Sequence, residues 1–178
     1  MDLQLALSKY PDKETLAEIT SYIGDEPDRF AELIDLVLHG ERTVSQYASW
    51  LVSPCIDLHP FLIRPHLQEL IENLSQPNLS DWVIRSTIKA LMKTDNLSEE
   101  HQGLALQHCF DYLLNPKMAV SIHVYAMQTA FNISQNEPDL LNELKMVIEE
   151  RLPYGTAAYK SRGKKIVGEI KKKASFIR

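Results

Sequence analysis

The sequence predicts an all-α fold, an α/α superhelix built from antiparallel helix pairs. Apolar residues recur at helical spacing along nearly all of the 178 residues, and no stretch shows the sustained alternation or clustered β-branched residues of a strand. Short connections with turn residues join the segments, so consecutive helices are expected to lie antiparallel and in contact. An apolar pattern also returns every 40 residues, a period typical of helical-hairpin solenoids.

Two amphipathic helices are predicted before residue 41. Apolar residues at helical spacing occupy residues 16–23, and Gly24 ends this segment. The next stripe covers residues 30–38, between Pro27, which suits the first turn of a helix, and Gly40, which ends it. The chain is therefore expected to open with an antiparallel helix pair.

Three prolines punctuate the segment WLVSPCIDLHPFLIRPH at residues 50–66. Pro54 and Pro60 are predicted to mark the end of one helix and the first turn of the next, because proline disfavours α conformation in the residue before it and cannot continue a hydrogen-bonded helix interior. Pro65 should then kink the second helix or delay its regular part.

The same segment places a thiol, a carboxylate and an imidazole at Cys55, Asp57 and His59. Structural zinc needs about four ligands in a closed tetrahedron, and no second cluster in the sequence completes the set. We therefore interpret the segment as a helix joint rather than a metal site. Asp57 is expected to act as a turn or capping group and His59 as a polar residue at the edge.

Caps and turn residues define the remaining helices. Ser80 and Ser98 are predicted N-caps, and Pro138 suits a first turn, with Gly155 after the last turn of the same helix. The predicted helical segments are residues 44–51, 67–74, 83–91, 104–114, 119–134, 138–152 and 156–174.

The 40-residue repeat is a match of pattern and not of identity. Three sets of residues on first helices follow one another at this step, and a second amphipathic helix follows each set. The sets are Val44, Ala48 and Leu51, then Ile84, Ile88 and Leu91, then Val124, Gln128 and Phe131.

Three stretches resemble HEAT-type or armadillo-type helical repeats: RTVSQYASWLVSPCIDLHPFLIRPHLQELIENL, WVIRSTIKALMK and VYAMQTAFNISQNEPDLLNELKMVIEERL. In the HEAT family a turn carries Asp and the second helix carries Arg or Lys near its start, and Asp139 and Lys145 fall on those positions. The resemblance covers about residues 41–174 and implies a curved stack of helix pairs that binds other macromolecules. The pairs that depart from the family spacing are Asp57 with Arg64 and Asp95 with His101.

A single domain is predicted over residues 1–178, with divergent N-terminal helices in 1–40, a repeat core in 41–155 and a basic capping helix in 156–178. The formal net charge of −5 is unevenly spread, because residues 160–178 hold eight basic residues against one acidic residue, whereas the remainder holds 11 basic and 23 acidic residues. An acidic body repels nucleic acid at long range, but a short basic end can meet phosphates, an anionic membrane surface or the body itself.

The basic C-terminal helix has two interpretations. The favoured one is a capping helix that buries the stripe Ile166, Val167, Ile170 and Ala174 and turns its lysines to water. The alternative is a docking surface for an acidic partner, nucleic acid or anionic lipid. The candidate contact residues of this surface are Arg162, Lys164, Lys165, Lys171, Lys172 and Lys173.

Trp50 and Trp82 lie on helices that the repeat would make equivalent, although at non-equivalent positions. HEAT-like DNA glycosylases use exposed aromatic and acidic residues in a basic groove, but here the groove would belong to the acidic body. Packing is the favoured use of both tryptophans, and anchoring of a protein interface is the alternative.

No catalytic, cofactor or metal site is predicted. The chain has no GxSxG, GxGxxG or Walker motif, and it lacks the glycine-serine-serine loop of fumarase-type helical lyases. His101 and His108 are seven residues apart without the acid of a zinc helix, and His123 is a lone imidazole in an uncharged helix. A compact helical enzyme that uses these histidines is the third and least favoured class.

The sequence thus favours a non-catalytic scaffold that presents one helix face to an unknown protein partner. The runner-up is a HEAT-like protein that binds nucleic acid or processes DNA bases through the basic C-terminal helix. No signal segment or membrane span is recognised, and the two cysteines are expected to be small buried hydrophobes in a reducing compartment. A cytoplasmic monomer or weak homodimer is expected.

Overall fold

The computed structural model describes residues 1–95 and 97–176, and these residues form helices and connections without a β-strand. The chain divides into two compact units, Met1–Asn96 and Leu97–Arg178. The all-α prediction is confirmed. No helix in the described ranges combines the length and the apolar character needed to cross a bilayer.

The first unit is organised around one long helix, α4, which contacts α3 on one side and α6 on another. Its core is formed by apolar side chains at helical spacing, including Phe30, Leu51 and Ile88. The helices of this unit are α1 (Leu3–Ala6), α2 (Lys13–Ile23), α3 (Pro27–His39), α4 (Arg42–Leu58), a 3-10 helix (Pro60–His66), α5 (Leu67–Asn73) and α6 (Asp81–Lys93).

The second unit is organised around α8, which packs against both α7 and α10. Ala126, Met127 and Ala130 of α8 are fully buried. The helices of this unit are α7 (Glu99–Leu114), α8 (Val120–Ile133), a 3-10 helix (Ser134–Asn136), α9 (Pro138–Arg151) and α10 (Ala157–Phe176).

The predicted caps and stops are confirmed. The Ser98 hydroxyl accepts a hydrogen bond from the backbone N–H of His101 at 3.2 Å, and the Ser80 hydroxyl accepts one from Trp82 at 3.3 Å. Pro27 and Pro138 begin α3 and α9, where the missing N–H of proline costs no helix hydrogen bond. Gly24 ends α2 with a positive φ of 51°, a conformation that favours glycine.

The prediction that Pro54 ends a helix is wrong, because α4 continues through Pro54 to Leu58. Pro54 itself is exposed, while Ser53, Cys55 and Ile56 around it are buried. Packing of these neighbours outweighs the hydrogen bond that the proline cannot donate. The expectation for Pro65 is confirmed, since a 3-10 helix containing it delays the regular part of α5.

The repeat is borne out in its first two copies only. The three residues of each of those copies are buried in α4 and α6. In the third copy Phe131 is buried, but Val124 and Gln128 are only half-buried. The core of α8 uses Ala126, Met127 and Ala130 instead, so the register of this copy was wrong.

Helix α10 packs on α8 and α9. Ile166, Val167 and Ile170 are buried, whereas Ala174 is exposed and does not join the stripe. Gly163 makes the close approach possible, because a Cβ atom there would lie 2.8 Å from Ile148 Cγ2. A side chain at this position would therefore push the helices apart.

Candidate interaction surface

Four aromatic side chains of the first unit form a continuous row along α4 and the start of α6. Trp50 is central: its ring centroid lies 5.0 Å from that of Tyr47, 5.4 Å from that of Trp82 and 5.9 Å from that of Tyr10. Tyr10 also meets Tyr47 edge-on at 5.9 Å. Edge-on and tilted contacts at these distances are favourable between aromatic rings.

The aromatic row lies at the surface rather than in the core. Tyr10 is 75% exposed and Trp82 39% exposed, while Tyr47 and Trp50 are half-buried. The indole N–H of Trp50 is buried without a hydrogen-bond partner among the described residues. The rings thus pack on one another and still present apolar area to solvent.

Basic side chains of α6 continue the row. Arg85 lies one turn beyond Trp82 and places its guanidinium carbon 4.7 Å from the centre of the indole, a cation–π contact. Lys89 and Lys93 follow at four-residue steps on the same helix face. Lys93 forms a salt bridge with Asp57 of α4 and donates a hydrogen bond to the Ser53 hydroxyl at 3.0 Å.

A small groove lies between α4 and α6 where the aromatic row meets the basic residues. Its volume is about 120 Å³, and hydroxyl groups, both tryptophans and two cations line it. The Ser86 hydroxyl at its base donates to the Ser49 carbonyl and ties α6 to α4. The lining residues are Ser49, Trp50, Ser53, Pro54, Trp82, Arg85, Ser86 and Lys89.

The basic residues of α10 divide into engaged and exposed sets. Arg162 donates to the Gln128 amide oxygen at 2.7 Å, Lys171 pairs with Glu149 at 2.7 Å, and Lys173 donates to the Gln135 carbonyl at 3.1 Å. The exposed set is Lys164, Lys165 and Lys172, whose side-chain amino groups have no hydrogen-bond or ion-pair partner among the described residues.

A buried polar cluster surrounds His123 in the second unit. Its Nε2 atom lies 3.0 Å from the Asn115 carbonyl oxygen and 2.9 Å from Arg151 Nη1, and the ring of Tyr159 meets the imidazole edge-on. Arg151 also donates to the Pro116 carbonyl at 3.2 Å. Burial lowers the pKa of His123, because the charged imidazolium is poorly solvated there. This arrangement links α8, α9 and α10 and is internal.

The thiol, carboxylate and imidazole of the helix joint do not converge. Cys55 is buried, Asp57 is exposed and pairs with Lys93, and His59 contacts the ring of Phe61. Within residues 1–95 and 97–176 no three His, Cys, Asp or Glu side chains are close enough to hold a metal ion. Asp57 thus joins α4 to α6 instead of capping a turn.

Burial also accounts for both cysteines. It raises the pKa of the Cys55 and Cys109 thiols to about 12, so neither forms an appreciable amount of thiolate near neutral pH. The expectation that both are buried hydrophobes is confirmed.

A larger groove in the second unit, about 440 Å³ in volume, lies between the start of α9 and the end of α10. Leu141, Ile170 and Ala174 form its apolar wall, and side-chain amides form its rim. The one charged residue of its lining, Lys173, already donates to a backbone carbonyl.

Sequence reasoning named both tryptophans but did not bring them together. A usable signal is the spacing of Trp82, Arg85 and Lys89, which puts an aromatic and two basic residues on one face of a helix. Tyr47 and Trp50 likewise share a face of α4. Because first helices of successive pairs stack side by side, these faces meet.

Helices that pack on one another, with no strand in residues 1–95 and 97–176, define the class of helical-repeat proteins. Comparison with known families makes the assignment specific: residues 3–170 match the HEAT repeat domain. The chain belongs to the HEAT repeat family. Comparisons with curated proteins and with solved structures gave no match.

Proposed function

We propose that this HEAT repeat chain is a non-catalytic scaffold that binds a protein partner through the aromatic row Tyr10, Tyr47, Trp50 and Trp82. The observation that carries the proposal is the position of both tryptophans of the chain in one partly exposed row. A cytoplasmic location and a monomeric or weakly dimeric state belong to the same proposal.

The composition of the row supports a protein partner. Tryptophan, tyrosine and arginine are the residues most enriched among those that dominate binding energy in protein interfaces. They bury large apolar areas and retain polar groups for hydrogen bonds at the rim. Mutual packing of the four rings holds them in place before binding, so little side-chain entropy remains to be lost.

Affinity capture with matched variants tests the proposal. The full chain and Trp82→Ala serve as baits in native lysate treated with nuclease, and Tyr154→Ala is the control because Tyr154 is an aromatic residue of the second unit that is 89% exposed. We expect a protein that the wild type and the control retain and that Trp82→Ala loses. Equal retention by all three baits contradicts a role for the aromatic row.

A second candidate is binding of nucleic acid through α10, and the exposed set Lys164, Lys165 and Lys172 favours it. Truncation before α10 is a poor test, because it would expose the apolar surfaces of α8 and α9 on which α10 packs. The triple Gln variant of the exposed set keeps the fold and removes three charges. If α10 binds a nucleic acid backbone, this variant lowers the slope of log affinity against log salt by about 3.

A further inference from the structure

The groove between α4 and α6 has positive charge without a matching carboxylate. Among the described residues Lys93 is paired with Asp57, but no carboxylate lies within salt-bridge distance of Arg85 or Lys89. The pKa of Lys89 is lowered, first by burial and then by the neighbouring charge of Lys93, partly offset by Asp57. An anion in the groove would relieve this crowding of like charges.

The dimensions of the groove limit what enters it. A volume of about 120 Å³ is well below the roughly 300–1,000 Å³ typical of sites for drug-sized ligands. It suits one side chain of a larger ligand, and Arg85 and Lys89 are among the residues that line it. The rest of such a ligand would lie across the aromatic row.

The charge of the surroundings distinguishes between anionic ligands. Residues 1–96 hold 8 basic and 15 acidic residues, so the first unit is strongly acidic and α6 is a local basic segment within it. A nucleic acid brings a phosphate every few ångströms and needs a long basic track, which this unit does not provide. A short acidic peptide places one or two carboxylates at the basic segment and keeps the rest of its chain uncharged.

We propose that the α4–α6 groove binds an acidic segment of a partner protein, with a carboxylate on Arg85 and Lys89 and an aromatic side chain of the segment against Trp82. This inference rests on the proposed function and names the chemistry of its partner. A guanidinium held above an indole ring is oriented in advance to receive a carboxylate in two hydrogen bonds. Trp82 then supplies the apolar contact beside the charge.

The two tryptophans give a direct readout, because the chain holds no others. A short synthetic peptide with one Asp and one Glu beside a single Phe, otherwise uncharged and free of Trp, is titrated while the emission of Trp50 and Trp82 is followed. The matched probe replaces every Asp and Glu by Asn and Gln. We expect saturable quenching or a spectral shift with the acidic peptide and at least about tenfold weaker binding of the amide peptide.

Variants assign the effect to the groove. The double variant Arg85→Gln and Lys89→Gln is expected to lower the affinity for the acidic peptide by at least about tenfold. The double variant Lys164→Gln and Lys165→Gln on α10 is expected to leave this affinity unchanged. Circular dichroism checks that each variant remains folded. An equal loss of affinity in both double variants would show a long-range effect of charge and overturn the assignment of binding to the groove.

Further outcomes separate the two proposals. If the acidic and amide peptides bind equally or not at all, the acidic ligand is wrong; the capture experiment with Trp82→Ala then decides separately whether the aromatic row binds a protein. If a thymidine oligonucleotide quenches the tryptophans at physiological salt and the peptide does not, the groove takes nucleic acid and the inference is overturned.

Discussion

Two glycines of α10 have opposite surroundings. A Cβ atom at Gly163 would meet Ile148 Cγ2 at 2.8 Å and Leu152 Cδ2 at 3.1 Å, whereas one at Gly168 would meet nothing within 4 Å. Alanine gains about 1 kcal/mol over glycine in a helix interior at both positions, and overpacking at Gly163 costs about 1–3 kcal/mol.

We therefore expect Gly168→Ala to raise the free energy of unfolding by about 0.5–1 kcal/mol, and Gly163→Ala to fall below Gly168→Ala by about 1–3 kcal/mol. Urea denaturation of both variants measures the difference. Because both changes lie in one helix, the propensity gain cancels in the comparison. Equal stability of the two variants would contradict the close packing of α10 on α9.

We expect the burial of His123 to make the protein less stable in mild acid. Burial lowers its pKa in the folded state below the value of about 6.5 in the unfolded chain, so the unfolded state binds more protons between these two values. The free energy of unfolding should fall as pH drops below about 6.5, and the contribution of His123 should level off below its folded-state pKa.

Urea midpoints measured from neutral pH to about pH 5 test this expectation. His123→Gln should have a shallower dependence on pH than the wild type, whatever its stability at neutral pH. Burial also lowers the pKa of His108, opposed by Asp111, so His108→Gln is the control that removes this second contribution. If the urea midpoint of His123→Gln depends on pH as steeply as that of the wild type, groups other than His123 cause the acid sensitivity.

Individual residues were predictable where local geometry decides their role. Ser98 and Pro27 follow from helix-end chemistry, which involves neighbours in the chain. Asp57 pairs with Lys93, 36 residues further along the chain, and Arg151 contacts His123, 28 residues before it, so no local rule names these partners. The contact between Trp50 and Trp82 depends in the same way on how two helices are set side by side.

Among the helices, α4 is the element whose extent differs most from the expectation. Pro54 lies inside it and is exposed, so its cost to the helix is not offset by packing of its own ring in the core. Proline costs about 3 kcal/mol relative to alanine in a helix interior, while its restriction of the unfolded chain returns up to about 1 kcal/mol.

Pro54→Ala should accordingly raise the free energy of unfolding by about 2 kcal/mol. Thermal and urea denaturation measure the change, and the amide of the new alanine should be protected from hydrogen exchange. The same substitution at Pro60, which begins a 3-10 helix, is the comparison and should give no such gain. A stability equal to the wild type would mean that α4 remains bent or open at position 54.

The helices themselves were largely predictable, because amphipathic spacing and end signals are properties of short segments. The register of the third repeat copy was not, since α8 is buried by both α7 and α10 and presents two apolar faces instead of one. A helix that is covered on two sides carries apolar residues on more than one face. The sequence alone does not indicate which of these faces corresponds to the repeated one.

For the whole chain, the prediction of a single domain over residues 1–178 is open to a calorimetric test. Repeat stacks unfold together when neighbouring repeats stabilise one another. We expect one heat-absorption peak whose van't Hoff enthalpy equals the calorimetric enthalpy. Two resolved peaks would show instead that Met1–Asn96 and Leu97–Arg178 are separate cooperative units.

The uneven distribution of charge was visible in the sequence. Which basic residues are engaged within the fold and which are exposed was not. Basic residues near the C-terminus stood out because they are adjacent in the chain, yet three of the six candidates there are engaged within the second unit. The smaller basic segment of α6 is not evident as a binding surface from the sequence, because acidic residues surround it there. Its position beside Trp82 appears only in the fold.

The absence of a side chain at Gly163 also carries a consequence for how this chain can change over evolutionary time. A substitution at Gly163 must be accompanied by a smaller residue at position 148 or by a shift of α10. Substitutions at these positions are therefore expected to be coupled during evolution. A Cβ atom at Gly103 or Gly168 would meet nothing within 4 Å, so a substitution there needs no change in its neighbours. Among descendants of this sequence, glycine should persist at 163 and give way at the other two.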